Sequence, residues 1–192
     1  MSGKTIVFIC LLVIVLAVTG GGLWFLFNPS PVIEVPEGKQ VISMDTHSVM
    51  GGRRSQLRIY ENGSVIFHED KGMRPPPPPG ASATRTWRMG KINPEELDNL
   101  IDFIESVRFD ELESFYEHLS VTSGAGTMSD LYFTFSVNSS NIINTVQTIG
   151  YHPPGSVHPD KELPSPLDEI YIKLYDIIEN RTEEVYQESI RS

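Results

Sequence analysis

Two histidines and an aspartate in one loop have the side-chain types that bind zinc. His152, His158 and Asp160 lie close together in the segment YHPPGSVHPDK, and imidazole nitrogens and carboxylate oxygens are common zinc ligands. The same segment contains three prolines, and no helix places its histidines at positions i and i+4 as the zinc-protease helix does. We therefore expect solvent-exposed loop histidines here, and a metal-binding (zinc) sensor or hydrolase site is the alternative.

A run of five prolines is the second stretch with recognisable chemistry. The run comprises Pro75, Pro76, Pro77, Pro78 and Pro79, and Arg74 directly precedes it. Consecutive prolines form a polyproline II helix that rises about 3.1 Å per residue, so the run spans roughly 15 Å. Such helices dock into aromatic grooves of proline-reading domains. Gly80 stands where the spaced Arg–Pro–Pro pattern needs another proline, so we expect a rigid loop, with a polyproline docking scaffold as the alternative.

Motifs of common catalytic sites do not occur in the chain. It has no Gly-x-Ser-x-Gly nucleophile elbow and no phosphate-binding glycine loop, and the lone G-x-G at 124–126 precedes a candidate strand instead of following one. Tyr171, Tyr175 and Tyr186 could rim a binding groove, but the helical spacing of the first two predicts that they flank the core. We predict a non-catalytic protein without a cofactor.

Charge and cysteine content exclude two further classes of site. The formal net charge is −10, and an acidic domain repels phosphate backbones, so we expect no nucleic-acid partner. Cys10 is the only cysteine and lies in an apolar run near the amino terminus. The rest of the chain therefore forms no disulfide and no thiolate metal site.

Residues 5–27 form an uncharged apolar segment that predicts a transmembrane helix. At about 1.5 Å per residue this segment spans roughly 34 Å, enough for a hydrocarbon core about 30 Å thick. A cleaved signal peptide is the competing interpretation, because Gly20, Gly21 and Gly22 resemble the small residues before a cleavage site. The apolar run resumes at Leu23, and Trp24 suits a membrane interface, which favours an uncleaved signal anchor.

The anchor implies an order of segments and a location. We predict a cytoplasmic amino terminus over 1–4, the anchor over 5–27, an extended proline-containing linker over 28–39 and a folded domain over 40–188. Lys4 is the only basic residue before Asn28, so the positive-inside rule places the domain outside the cytoplasm of a single-pass cell-membrane protein. An envelope protein is then the expected partner.

Two hairpins and two helices are predicted within the domain. Apolar residues alternate on both sides of Asn62-Gly63, which predicts a two-residue turn with positive φ at both positions, and the segment 130–149 alternates in the same way. Asn93 and Ser165 are expected to cap helices that begin at Pro94 and Pro166, and 109–116 to form a helical turn. We predict an α+β fold: an antiparallel sheet of about five to six strands, two amphipathic helices packed on one face, and the transmembrane helix before it.

The order of these elements resembles a known group of domains. The segments LRIYENGSVIF, INPEELDNLIDFIESVRFDELESFY, SDLYFTFSV and PLDEIYIKLYDII are similar to those of small uncharacterised α+β domains of bacterial and archaeal envelope proteins. The resemblance covers residues 45–180 and implies a hairpin, a helix, a second hairpin and a final helix; the proline run departs from it. Its motifs are structural, so it transfers no functional residue. We therefore expect a membrane-anchored extracytoplasmic binding or accessory domain.

Overall fold

The structure, a computed structural model, describes residues 33–48, 54–71, 82–118, 131–156 and 159–191. Within these ranges the chain forms one eight-stranded sheet and two α-helices. The strands are β1 (Gln40–Ser48), β2 (Arg54–Tyr60), β3 (Ser64–Lys71), β4 (Ser82–Lys91), β5 (Phe115–Glu117), β6 (Leu131–Asn138), β7 (Ile143–Ile149) and β8 (Thr182–Arg191). The helices are α1 (Pro94–Ser106) and α2 (Leu167–Arg181). The strand order across the sheet is β5-β7-β6-β1-β2-β3-β4-β8.

The predicted fold class is wrong in the number and the directions of its strands, and its transmembrane helix is not shown. The sheet has eight strands, and it is mixed, because β5 runs parallel to β7 while all other neighbours are antiparallel. The helical turn expected over 109–116 is found only at Phe109–Glu111, as a 3-10 turn, and β5 follows it. The predicted transmembrane helix at 5–27 is not shown: it falls outside the described residues, and none of the helices in the described part is long and apolar enough to cross a bilayer.

The connection between β2 and β3 is longer than the expected two-residue turn. It has three residues, Glu61 to Gly63, and the Gly63 N–H donates to the Tyr60 carbonyl at 2.9 Å. The Ser64 N–H donates to Asn62 Oδ1 at 2.9 Å. Gly63 has a φ of +78°, whereas Asn62 is not among the residues with positive φ. One left-handed residue at the third loop position is the usual solution for a three-residue hairpin.

The two helices begin in different ways. At α1, the Glu96 N–H donates to Asn93 Oδ1 at 2.8 Å and the Asn93 N–H donates to Glu96 Oε2 at 3.0 Å, so the predicted Asn93 cap is confirmed as a full capping box. At α2, the expected Ser165 cap is wrong. The helix begins at Leu167, Pro166 occupies the cap position, and no side chain caps the first turn.

The core lies between both helices and one face of the sheet. Ile42 on β1 pairs with Val137 and Ile59, and Met44 pairs with Phe135 and Leu57, so these side chains share that face. The helices add Leu97, Leu100 and Ile104 from α1 and Leu167, Ile170, Leu174 and Ile178 from α2, all buried in the same cluster. We call this the helical face, and the other the opposite face.

Candidate functional site

A cleft of 570 Å³ lies on the helical face, between α2 and the sheet. Its floor is formed by side chains of β1, β2, β3, β4, β6 and β8, and Tyr171, Tyr175 and Glu179 of α2 form a wall. The floor residues belong to the same alternation that builds the core. Along each of these strands, the side chains on the helical face change from apolar beneath the helices to polar in the cleft. On β3, for example, Phe67 is followed on this face by Glu69 and Lys71. The fold therefore provides a recess with an apolar side and a charged side.

The aromatic side of the cleft contains Phe133, Tyr171 and Tyr175. The rings of Phe133 and Tyr171 meet edge to face, with centroids 5.9 Å apart and an interplanar angle of 85°. Tyr171 and Tyr175 are one helical turn apart and stack, with centroids 5.8 Å apart at 17°. Tyr171 packs against the core, whereas Tyr175 is 42% exposed. The two tyrosines therefore extend the core into the cleft and leave one aromatic ring accessible.

Arg88 is the fixed positive charge of the cleft. Its Nε donates to Thr182 Oγ1 at 2.9 Å, and its Nη2 donates to the carbonyl oxygens of Thr182 at 2.8 Å and Ile178 at 3.3 Å. The hydroxyl of Thr182 donates in turn to the Ile178 carbonyl at 2.6 Å. These carbonyls lie where α2 ends and β8 begins, so the negative end of the helix dipole compensates the guanidinium.

Three carboxylates share the charged side of the cleft with two cations. Lys71 Nζ lies 3.0 Å from Glu69 Oε2, which pairs those two residues. Glu184 lies opposite Arg88 in the β4–β8 register, and Glu179 lies in the last turns of α2. In the part of the chain that the structure describes, neither Glu179 nor Glu184 forms an ion pair. The negative charge of this region is therefore only partly balanced.

A second polar cluster lies on the opposite face and is internally satisfied. Arg85 donates to Asp70 through Nε at 2.6 Å and Nη2 at 2.9 Å, and Trp87 Nε1 donates to Glu188 Oε1 at 3.1 Å. The hydrogen bond with Asp70 raises the pKa of Arg85. His68 lies against Trp87 with ring centroids 4.5 Å apart. Burial, and then the charge of Arg85, lowers the pKa of His68 from 6.5 to about 4.

The described residues include only two of the three candidate zinc ligands, so the zinc alternative stays a prediction from the sequence. His152 forms a β-bridge with Glu162, and Asp160 is exposed in a 3-10 turn, Pro159–Lys161. His158 lies outside the described residues. No group of three or more histidine, cysteine or acidic side chains that could hold a metal ion occurs in the described ranges.

The proline run also lies outside the described residues, from Arg74 through Pro75–Pro79. The strands on either side of it do contribute to the cleft, through Lys71 at the end of β3 and Thr84 near the start of β4. Polyproline docking therefore stays a prediction from the sequence.

Sequence reasoning found part of the cleft and missed the rest. The sequence indicates Tyr171 and Tyr175 as groove candidates, and both line the cleft. Tyr186 does not, because it pairs with Trp87 on the opposite face. Glu184 was missed because β8 was not predicted, and Arg88 was missed because its partner Thr182 is where β8 begins. A strand over β4 alternates its side chains between the two faces, so the sequence could have placed Arg88 on the face opposite to Trp87.

Comparisons of the chain with protein-family models, curated proteins and solved structures find no match. The resemblance to envelope-protein domains therefore rests on the quoted motifs alone. The extracytoplasmic location and the envelope partner depend on residues 5–27 and stay predictions.

Proposed function

We propose that this protein is a non-catalytic binding domain whose ligand occupies the cleft on the helical face. The observation that carries the proposal is the 570 Å³ recess itself, with aromatic rings on one side and prepositioned charges on the other. Ligand sites are typically concave, with apolar and aromatic walls and a few convergent polar groups. Phe133 supplies an aromatic ring on the floor, Tyr175 supplies one on the wall, and Arg88 supplies a polar group that the backbone holds in place.

The polar groups of the cleft support binding rather than chemistry. Among the described residues that line it there is no histidine and no cysteine. The Ser55 hydroxyl lies 2.6 Å from Thr46 Oγ1, in a hydroxyl pair and not beside a base. Nucleophilic catalysis requires a nucleophile within hydrogen-bond reach of a base. The lining therefore favours reversible recognition of a ligand.

A fragment screen by NMR on the isotopically labelled full-length chain tests this function. We expect some fragments to shift the amide signals of cleft residues such as Thr86 and Gln187. Thr86→Trp places an indole on the floor of the cleft and should abolish those shifts. Thr145→Trp on the opposite face is the matched control and should preserve them. The proposal is wrong if no fragment perturbs the cleft, or if Thr86→Trp leaves the perturbations unchanged.

A further inference from the structure

Three residues of α2 form a stripe along the cleft wall. Tyr171, Tyr175 and Glu179 follow one another at intervals of four residues, and all three line the cleft. Residues four apart lie on the same side of a helix. The wall therefore presents two stacked rings followed by a carboxylate, and the exposed ring of Tyr175 is next to the acidic side chain in this order.

The carboxylate on the wall has a counterpart on the floor. Glu184 on β8 lines the same cleft as Glu179, and neither makes an ion pair with any described residue. Arg88 makes no ion pair with either of them among the described residues, and its Nε and Nη2 donate to Thr182 and to the carbonyl of Ile178. Two carboxylates are thus available to a group entering from solvent.

The cleft already holds one guanidinium, which shows the chemistry this region favours. The Arg88 side chain is held by two backbone carbonyls and one hydroxyl oxygen, so hydrogen-bond acceptors converge where α2 meets β8. Aromatic faces and carboxylates are the two kinds of group that attract organic cations. The formal net charge of −10 adds a long-range attraction for positive ligands.

We propose that the ligand of the cleft carries a guanidinium group, which pairs with Glu179 and Glu184 and lies beside the ring of Tyr175. This inference rests on the proposed binding function and names the chemistry of its ligand. The alkyl or backbone portion of the ligand extends toward Phe133 and Tyr171, on the apolar side. The same cation can come from a free small molecule or from a basic side chain of a peptide.

Titration of the full-length chain with L-argininamide, followed by NMR and calorimetry, tests the proposal. L-citrullinamide has nearly the same shape without the guanidinium charge and serves as the ligand control. We expect L-argininamide to shift cleft signals and L-citrullinamide to bind at least about tenfold more weakly, since charge-assisted hydrogen bonds are the stronger ones. Binding should also weaken as salt is added.

Matched variants test whether the cationic group of the ligand binds beside Glu179 and Glu184. The double variant Glu179→Gln, Glu184→Gln should weaken L-argininamide binding about tenfold or more. The control double variant Glu169→Gln, Glu183→Gln also removes two negative charges, from exposed positions of α2 and β8 that do not line the cleft, and should change binding less than about twofold. Equal effects of the two double variants, or equal binding of L-citrullinamide, would overturn the proposal.

Two further arms separate the possible explanations. Benzoate is the anionic probe. If benzoate binds in the cleft and L-argininamide does not, the proposal of a cationic ligand is wrong, while the proposed binding function is supported. If neither these probes nor any fragment binds there, the binding function itself fails. An acetylated, amidated Ala-Ala-Arg-Ala-Ala peptide that binds at least about tenfold more tightly than L-argininamide identifies a peptide ligand, and equal affinity identifies a small cation.

Discussion

Arg88 and Thr182 are joined by two hydrogen bonds, from Arg88 Nε to Thr182 Oγ1 at 2.9 Å and from Nη2 to the Thr182 carbonyl at 2.8 Å. The bonds connect the middle of β4 to the residue where α2 passes into β8. Thr182 is buried, so its carbonyl has limited access to water. The same guanidinium therefore fixes the wall of the cleft relative to its floor.

Replacing Arg88 should destabilise the domain. Arg88→Met keeps most of the packing volume but removes the Arg88 donor from the Thr182 carbonyl, and one of two side-chain donors from the Ile178 carbonyl. We expect a loss of about 2 kcal/mol in the free energy of unfolding, in the range for hydrogen bonds to charged groups. Arg88→Lys should recover less than half of it, because an ammonium cannot reproduce the fork of a guanidinium. Urea denaturation of the parent protein and of both variants measures these free energies of unfolding.

Arg181→Met is the control for this prediction. Arg181 pairs with Glu96 at the surface, where its side chain is 51% exposed. Exposed ion pairs contribute about 0–1 kcal/mol, so this variant should stay close to the parent protein. Equal destabilisation by Arg88→Met and Arg181→Met would show that the contacts of Arg88 with the end of α2 are unimportant.

Gly63 should not tolerate a side chain. Its φ of +78° lies in the left-handed region, and a Cβ there would be 2.2 Å from the carbonyl oxygen of Ile92, which follows β4. That contact is too short for any real structure, and the Gly63 carbonyl also accepts from the Ile92 N–H at 2.9 Å. We expect Gly63→Ala to destabilise the domain by about 3 kcal/mol or more, from backbone strain plus the displacement of Ile92.

Gly155 is the control that shows how much backbone strain alone destabilises the domain. It has a similar φ of +76°, but no atom lies within 4 Å of its hypothetical Cβ. Gly155→Ala should therefore cost only the left-handed strain, about 1–2 kcal/mol. If thermal or urea unfolding gives the same loss for both glycines, the close approach of Ile92 has no energetic consequence.

Local sequence patterns predict the elements that local interactions specify. The start of α1 depends on Asn93, Pro94 and Glu96, which lie within four residues of one another, and the Asn93 cap was predicted correctly. The position of the β2–β3 turn was also predicted from Asn62-Gly63, although its length was not. Cap and turn residues act on the backbone beside them, so a short window contains the necessary information.

The parts that were missed depend on distant pairing. The segment TEEVYQESIR of β8 is rich in glutamate, which strands disfavour, and becomes a strand through its pairing with β4, including Trp87 with Tyr186. Charged residues are common on edge strands because they discourage aggregation. β5 has only three residues and forms beside β7. The charged side of the cleft depends on β8, so no short window of sequence predicts Arg88 beside Thr182.

His68 should make the stability of the domain depend on pH. Its pKa is about 4 in the folded protein and 6.5 ordinarily, mainly because the imidazole is buried. The unfolded chain therefore binds a proton more readily between these values, so the stabilisation is complete above pH 6.5 and is lost as the pH falls toward 4. We expect the free energy of unfolding to drop by about 2 kcal/mol from pH 7 to pH 5. His68→Gln removes the titrating group and should flatten this part of a urea-denaturation profile, whereas His118→Gln, beside Tyr151, should leave the drop in place. A drop that persists in His68→Gln would assign the pH dependence to other groups.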